Sequence, residues 1–76
     1  TLKIYPNPIC GENKVFLESI FPNSEVEIRD VLGKLIKKYN NGNNKIFEFE
    51  FPSIPGIYFV IVKLENKVLI KKVIKN

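Results

Sequence analysis

Residues 26–36 alternate apolar and polar side chains and carry a turn signal at their centre. On an extended chain, Val26 and Ile28 share one face while charged residues occupy the other, which is the two-residue period of a half-buried antiparallel strand. Asp30 can accept hydrogen bonds from the backbone amides that follow it, and Gly33 can adopt a positive φ without a steric clash. This segment therefore predicts a tight β-hairpin with one dry face and one wet face.

The same alternation and turn punctuation extend along the rest of the chain. Prolines, glycines and asparagines separate the extended segments, because these residues favour turns and proline cannot donate to a strand ladder. The predicted strands are residues 2–5, 14–20, 24–31, 34–39, 45–51, 57–64 and 67–75. No segment has a persuasive helical period.

Two of these predicted strands carry further information. Phe47, Phe49 and Phe51 share one face of the fifth strand and glutamates share the other, so one face is expected to be dry. Residues 57–64 are apolar on both faces, which is typical of a central strand covered from two sides. About seven short strands predict an all-β fold, a small immunoglobulin-like antiparallel β-sandwich forming one domain over residues 1–76, with a barrel as the alternative.

The residue types needed for catalysis or metal binding are scarce in this chain. Cys10 is the single cysteine and there is no histidine, so the chain has neither the usual base for a nucleophilic thiol nor the usual ligand set for zinc. Glu48 and Glu50 are a carboxylate pair, but no third ligand accompanies them. We therefore predict that the domain is not an enzyme and holds no metal or cofactor.

The charge pattern argues against nucleic acid as a partner. The formal net charge is +4, but the lysines are scattered along the chain with glutamates between them, and only the last strand approaches a basic cluster. No apolar stretch reaches the roughly 18–20 residues that a membrane span needs. We expect no membrane span, and no secretory signal within this sequence.

Four segments, taken in order, carry a resemblance that covers essentially the whole chain. An early Tyr5-Pro6-Asn7-Pro8, residues 26–36, Gly-Ile-Tyr at residues 56–58 and a lysine-rich last strand together resemble the C-terminal sorting domain of the type IX secretion system. This Por-type domain ends exported proteins of some Gram-negative bacteria. One departure is Phe-Pro-Ser at residues 51–53, where such domains often have an Asp-Leu-Ser run.

The resemblance implies a non-catalytic signal that directs its parent protein through the outer membrane. The implied partners are an outer-membrane shuttle protein, which binds the domain, and a sortase-like cysteine protease, which removes it and attaches the cargo to the cell surface. The implied location is the periplasm in transit, then the outer membrane, the cell surface or the extracellular space. We expect the isolated domain to be monomeric or to self-associate weakly through strand edges.

Recognition of such a tag should use its loops and exposed strand edges, because the passengers it serves are diverse. The candidate surfaces are the last strand at residues 71–76 and the loops at residues 6–8 and 30–34. Strand addition along residues 71–76 is one hypothesis, since it would draw affinity from backbone hydrogen bonds. Asp30 and Gly33 also have a plain role in the turn, and Tyr58 has one in packing. The candidate recognition residues are Pro6, Asn7, Pro8, Asp30, Gly33, Lys34, Gly56, Tyr58, Lys71, Lys72, Val73, Ile74 and Lys75.

An alternative function is a carbohydrate-binding or adhesive β-sandwich module of a secreted protein. Such a module would need exposed aromatic side chains aligned on one face. Phe16, Tyr39 and Phe59 are the candidates for that role, whereas the phenylalanines of the fifth strand are expected in the core.

Overall fold

Seven β-strands form where the sequence alternates apolar and polar side chains, in a computed structural model that describes residues 2–19 and 21–76. No helix is present within these ranges. Ile20, predicted as the end of the second strand, lies outside the described residues. The strands are β1 Leu2–Tyr5, β2 Lys14–Ser19, β3 Glu25–Asp30, β4 Leu35–Asn40, β5 Ile46–Glu50, β6 Gly56–Lys63 and β7 Val68–Lys75.

The strands form two separate antiparallel sheets. One sheet has the order β1-β2-β5 and the other has the order β4-β3-β6-β7. Consecutive strands pair in three hairpins, and the chain crosses between the sheets after β2, β4 and β5. The two sheets pack face to face as a sandwich, so the all-β sandwich prediction is confirmed and the alternative of a closed barrel is not.

Side chains from both sheets fill the space between them. The ring centroid of Tyr39 in the larger sheet lies 5.5 Å from that of Phe49 in the smaller one. Tyr58 packs edge to face on Phe51, with ring centroids 5.2 Å apart. Phe49 and Phe51 are buried, which confirms the dry face predicted for β5. The buried apolar side chains are Ile4, Ile9, Val15, Leu17, Val26, Ile28, Phe49, Phe51, Tyr58, Val60, Val62 and Val73.

β6 is central in its sheet, between β3 and β7, but only one of its faces is buried. Val60 and Val62 lie in the core, whereas Ile57 is 43% exposed on the outer face of the sheet. The prediction that this strand is covered from two sides is therefore wrong. Phe59 on the outer face is half-buried without a second layer, because it lies between its cross-strand neighbours Arg29 and Lys72. The long stems of such side chains can shield an apolar neighbour without a further layer.

Candidate recognition site at one end of the sandwich

The strand register brings the candidate recognition residues to one end of the four-stranded sheet. Asp30, the last residue of β3, lies opposite Tyr58. Gly56, the first residue of β6, lies opposite Lys75 at the end of β7. Ile9 forms a parallel bridge to Lys75. We call this region the loop end, and it comprises residues 6–9, 30–34, 52–58 and 71–76.

The β3–β4 connection at the loop end is held by hydrogen bonds within the loop. One oxygen of the Asp30 carboxylate, Oδ1, accepts from the backbone N–H of Leu32 at 3.0 Å and from that of Lys34 at 2.9 Å. The Gly33 N–H donates to the Asp30 carbonyl at 3.0 Å, and Gly33 has a φ of 85°, where glycine has no Cβ to clash. Asp30 and Gly33 thus shape the turn from within.

An ionic cluster braces this loop from the strand below it. Arg29 donates through Nη1 to the Gly33 carbonyl at 2.8 Å and through Nε to Glu27 Oε1 at 2.9 Å. Lys63 Nζ lies 3.0 Å from Glu27 Oε2. The Glu27 side chain is buried although it belongs to the outer face of the sheet, because these two cations cover it.

The two cations also keep Glu27 charged. The hydrogen bond from Lys63 is the largest cause that lowers the pKa of the Glu27 carboxyl below its ordinary value, and Arg29 lowers it further. Burial acts in the opposite direction and is outweighed. At neutral pH this carboxylate therefore holds Arg29 in the position from which it supports the loop.

Two exposed apolar residues occupy the tip of this loop. Val31 is 61% exposed and Leu32 is 90% exposed. The sequence analysis places Val31 at the end of the third predicted strand and includes both residues in the candidate loop 30–34, but it assigns neither side chain a role of its own. A signal was present in the sequence, because turns are normally built from polar residues and glycine, and an aliphatic pair at such a place is unusual. Lys34 follows the pair, is exposed, and has no ion pair within the described residues.

Residues 7–9 run along the last part of the free edge of β7. The side-chain amide of Asn7 donates to the Lys72 carbonyl at 3.0 Å and accepts from the Ile74 N–H at 3.1 Å. The Ile9 N–H donates to the Ile74 carbonyl at 2.7 Å, and the Ile9 carbonyl accepts from the Asn76 N–H at 2.9 Å. The Lys72 carbonyl, the N–H and carbonyl of Ile74 and the Asn76 N–H therefore already have partners inside the chain.

This arrangement narrows the hypothesis of strand addition. A foreign strand could pair over residues 72–76 only after displacing residues 7–9. Since successive residues of an edge strand point their backbone groups alternately inward and outward, the outward groups of β7 without a partner within the described residues are those of Val68 and Ile70 and the N–H of Lys72.

The other candidate residues divide into exposed and buried ones. Tyr58 is buried, and its hydroxyl donates to the Ile54 carbonyl at 2.6 Å, which ties the β5–β6 loop to the sheet. Val73 and Lys75 are also buried, so they shape the loop end from within. The exposed candidates are Pro6, Asn7, Pro8, Gly33, Lys34, Gly56, Lys71, Lys72 and Ile74, and Asp30 is half-buried.

The aromatic residues considered for sugar binding do not share a face. Phe16 stacks on Tyr5, with ring centroids 5.6 Å apart, on the outside of the three-stranded sheet. Phe59 lies on the outside of the other sheet. Tyr39 packs against Phe49 between the sheets. The aligned aromatic surface that a carbohydrate-binding module needs is therefore not formed by these residues.

The described residues form no metal-ligating cluster, and their one cysteine is exposed. Across residues 2–19 and 21–76, no group of three or more histidine, cysteine, aspartate or glutamate side chains is placed to hold a metal ion. Cys10 is an exposed free thiol whose Sγ accepts from Asn76 Nδ2 at 3.1 Å. The loop end presents a surface of exposed prolines, lysines and aliphatic side chains.

Comparison with known proteins places the chain in a family. A family model described as a secretion system C-terminal sorting domain matches residues 3–76. A search of curated proteins found no match. Within the described part of the chain, no helix is long and apolar enough to cross a membrane.

Proposed function

Because the chain belongs to the family of secretion system C-terminal sorting domains and is a type IX secretion sorting signal, we propose that its loop end is the surface read during export. An outer-membrane shuttle protein binds the folded domain at this end. A sortase-like cysteine protease then cuts N-terminal to β1, and the passenger is attached to the cell surface. The domain acts as ligand and substrate in these steps and not as catalyst.

The observation that carries this proposal is the convergence of distant segments at one end of the sheet. Asn7 meets Lys72 and Ile74, which are more than sixty residues further along the chain, through hydrogen bonds of 3.0 and 3.1 Å. Asp30 and Gly56 reach the same end through the register of β6. A surface assembled by the fold is the same for every passenger, which is what a general export machinery requires.

Folding before recognition is part of the proposal. The loop-end segments are far apart in sequence and come together only through the β3–β6 and β6–β7 pairings. An unfolded tag would present the same residues without their geometry. We therefore expect export to depend on the core as strictly as on the exposed residues.

The test is a transplant of the domain to a neutral passenger. Residues 1–76 are fused behind a fluorescent protein that carries an ordinary inner-membrane export signal, in a host with type IX machinery and in an isogenic host lacking it. Antibody labelling of intact cells measures surface delivery, and mass spectrometry of the surface passenger shows whether the domain has been removed. We expect delivery only in the first host, with a passenger that lacks the domain.

A matched pair of variants tests the requirement for folding. Val60→Asp places a charge in the core, where Val60 is fully buried, while Glu48→Gln changes an exposed residue away from the loop end. We expect the first variant to abolish delivery and the second to leave it unchanged. Retention of the intact fusion in the periplasm of the competent host would contradict the proposed function.

A further inference from the structure

We propose that Val31 and Leu32 form an apolar anchor that inserts into a preformed pocket of a protein partner whose rim carries a carboxylate facing Lys34. This inference rests on the proposed function, and within the candidate loop at residues 30–34 it assigns recognition to two side chains that had no predicted role of their own. The partner is defined by that chemistry, an apolar pocket for two neighbouring aliphatic groups with negative charge at its mouth.

The first argument is the exposure of the pair. Leu32 is the most exposed large apolar side chain among the described residues, and Val31 beside it is also mostly in water. The other exposed aliphatic residues of the larger sheet, such as Ile70, lie along strands, where cross-strand neighbours flank them. Val31 and Leu32 instead lie at the tip of a loop, a position from which side chains can enter a concave site.

The second argument is the order of the loop. Its backbone is fixed by the Asp30 carboxylate, by the contact of Arg29 with the Gly33 carbonyl, and by the bond from the Asp30 N–H to the Lys34 carbonyl at 3.1 Å. None of these contacts uses the side chains of Val31 or Leu32. A loop that is ordered before binding loses little conformational entropy on binding, which favours a shaped partner site.

The third argument is the charge around the pair. The Asp30 carboxylate keeps its charge and accepts hydrogen bonds from two backbone amides of its own loop, and Arg29 is ion-paired with Glu27. Lys34 has no ion pair in the described part of the chain, so its ammonium group is free to pair with a carboxylate of a partner. A carboxylate at the rim of the pocket complements this charge and fixes the orientation of the tip.

A protein pocket fits these observations better than a lipid surface does. A bilayer surface binds a broad apolar face or a cluster of basic residues, and this loop offers two aliphatic side chains and one unpaired lysine. A fluid bilayer would also accept the same side chains from a mobile loop. The internal hydrogen bonds that order residues 30–34 therefore increase affinity only for a partner whose binding site has a fixed shape.

The experiment uses the transplant fusion with three variants. Val31→Ser/Leu32→Ser removes the anchor, Lys34→Glu reverses the rim charge, and Ile70→Ser is the matched control because Ile70 is 63% exposed but lies outside the loop end. We expect the double variant to reduce the rate of surface delivery about 30-fold or more, the loss typical of a binding hot spot. Lys34→Glu should reduce it about tenfold, and Ile70→Ser should change it less than about twofold.

Two further measurements separate a loss of binding from a loss of folding, and a protein partner from a lipid surface. Thermal unfolding of the purified variants must match that of the unsubstituted domain, since all four substituted positions are exposed. Flotation with vesicles of phosphatidylethanolamine and phosphatidylglycerol, with and without lipopolysaccharide, tests the lipid alternative. We expect no binding that depends on Leu32.

The results separate this inference from the function on which it rests. Failure of the unsubstituted fusion to reach the surface overturns the proposed function. Normal delivery of the unsubstituted fusion and of the Val31→Ser/Leu32→Ser variant overturns the anchor alone. Equal losses in that variant and in Ile70→Ser, or vesicle binding that disappears with Leu32→Ser, also overturn it.

Discussion

The two loops at opposite ends of β4 use polar and apolar side chains in opposite ways. In the loop after β4, Asn41 is 1% exposed, and its side chain accepts from the Ser24 N–H at 2.7 Å and donates to the Phe21 carbonyl at 2.9 Å. In the loop before β4, the polar groups bond within the loop, and Val31 and Leu32 project into water.

This difference separates a loop that holds the fold from a loop that offers a surface. The side-chain amide of Asn41 hydrogen-bonds two backbone groups of the β2–β3 connection, the Ser24 N–H and the Phe21 carbonyl. The loop after β4 is therefore part of the interior. The loop before β4 is ordered by its own hydrogen bonds and leaves its apolar atoms unused by the fold. Substitutions in the first loop should therefore change stability, and substitutions at the tip of the second should change recognition.

The largest effect on stability is expected at Asn41. Asn41→Ala removes both side-chain hydrogen bonds and leaves a buried N–H and a carbonyl with fewer partners, which should lower the free energy of unfolding by about 2–4 kcal/mol. Urea denaturation measures this change. Asn43→Ala is the control in the same loop, because Asn43 is exposed, and it should cost less than about 0.5 kcal/mol. Equal stabilities of the two variants would show that the fold does not depend on the side chain of Asn41.

The next effect is expected at Glu27, which supports the loop before β4 through Arg29. Glu27→Gln should lower the free energy of unfolding by about 1–2 kcal/mol at pH 7, because the partly exposed cations Arg29 and Lys63 both lose the negative charge of their buried partner. Denaturation of both proteins from pH 7 to pH 3 measures the effect and its pH dependence.

The pH dependence has a defined sign. The pKa of Glu27 is lower in the folded state than in the unfolded state, so its stabilising contribution is complete above the unfolded value of about 4.3 and is lost as the pH falls through the folded value. The difference between the two proteins should therefore shrink below about pH 4. A difference that grows toward low pH would contradict the role assigned to Lys63 and Arg29.

A smaller effect is expected at Asp30. Asp30→Ala removes the acceptor of two backbone N–H groups in an exposed loop, which should lower the free energy of unfolding by about 1 kcal/mol. Hydrogen exchange at the Leu32 and Lys34 amides should accelerate more than exchange in the core of β6. Unchanged exchange at both amides would show that the loop is not ordered by this carboxylate.

The smallest effect on stability is expected at Leu32. Leu32→Ser should change the free energy of unfolding by less than about 0.5 kcal/mol, because the side chain is almost fully exposed. Chemical denaturation of Leu32→Ser and Asn41→Ala in parallel compares directly how much each of the two loops contributes to the free energy of unfolding. A loss above about 1 kcal/mol would mean that the fold uses Leu32, contrary to its exposure.

The strands could be predicted from sequence because alternation and turn residues are local signals. The hairpin around Asp30 and the dry face of Phe49 and Phe51 both follow from neighbours within a few residues. The family resemblance also came from short segments in order, and the family model confirms it over residues 3–76.

The geometry of the loop end could not be predicted in the same way. The contact of Asn7 with β7 depends on a pairing of residues more than sixty positions apart, and no local pattern specifies it. The exposed outer face of β6 was missed because an apolar run predicts burial without saying what covers it. The exposure of Val31 could not be predicted, because an apolar residue next to Asp30 also fits the end of the third predicted strand, residues 24–31.

Site-specific photocrosslinking during export tests the central claim most directly. A photoreactive amino acid is placed at position 32 in one fusion and at position 43 in another, at the exposed tips of the two loops. Crosslinked products are then identified by mass spectrometry. We expect position 32 to crosslink to an outer-membrane component of the type IX machinery and position 43 not to do so. Crosslinking to that component from position 43 alone, or equally from both positions, would contradict it.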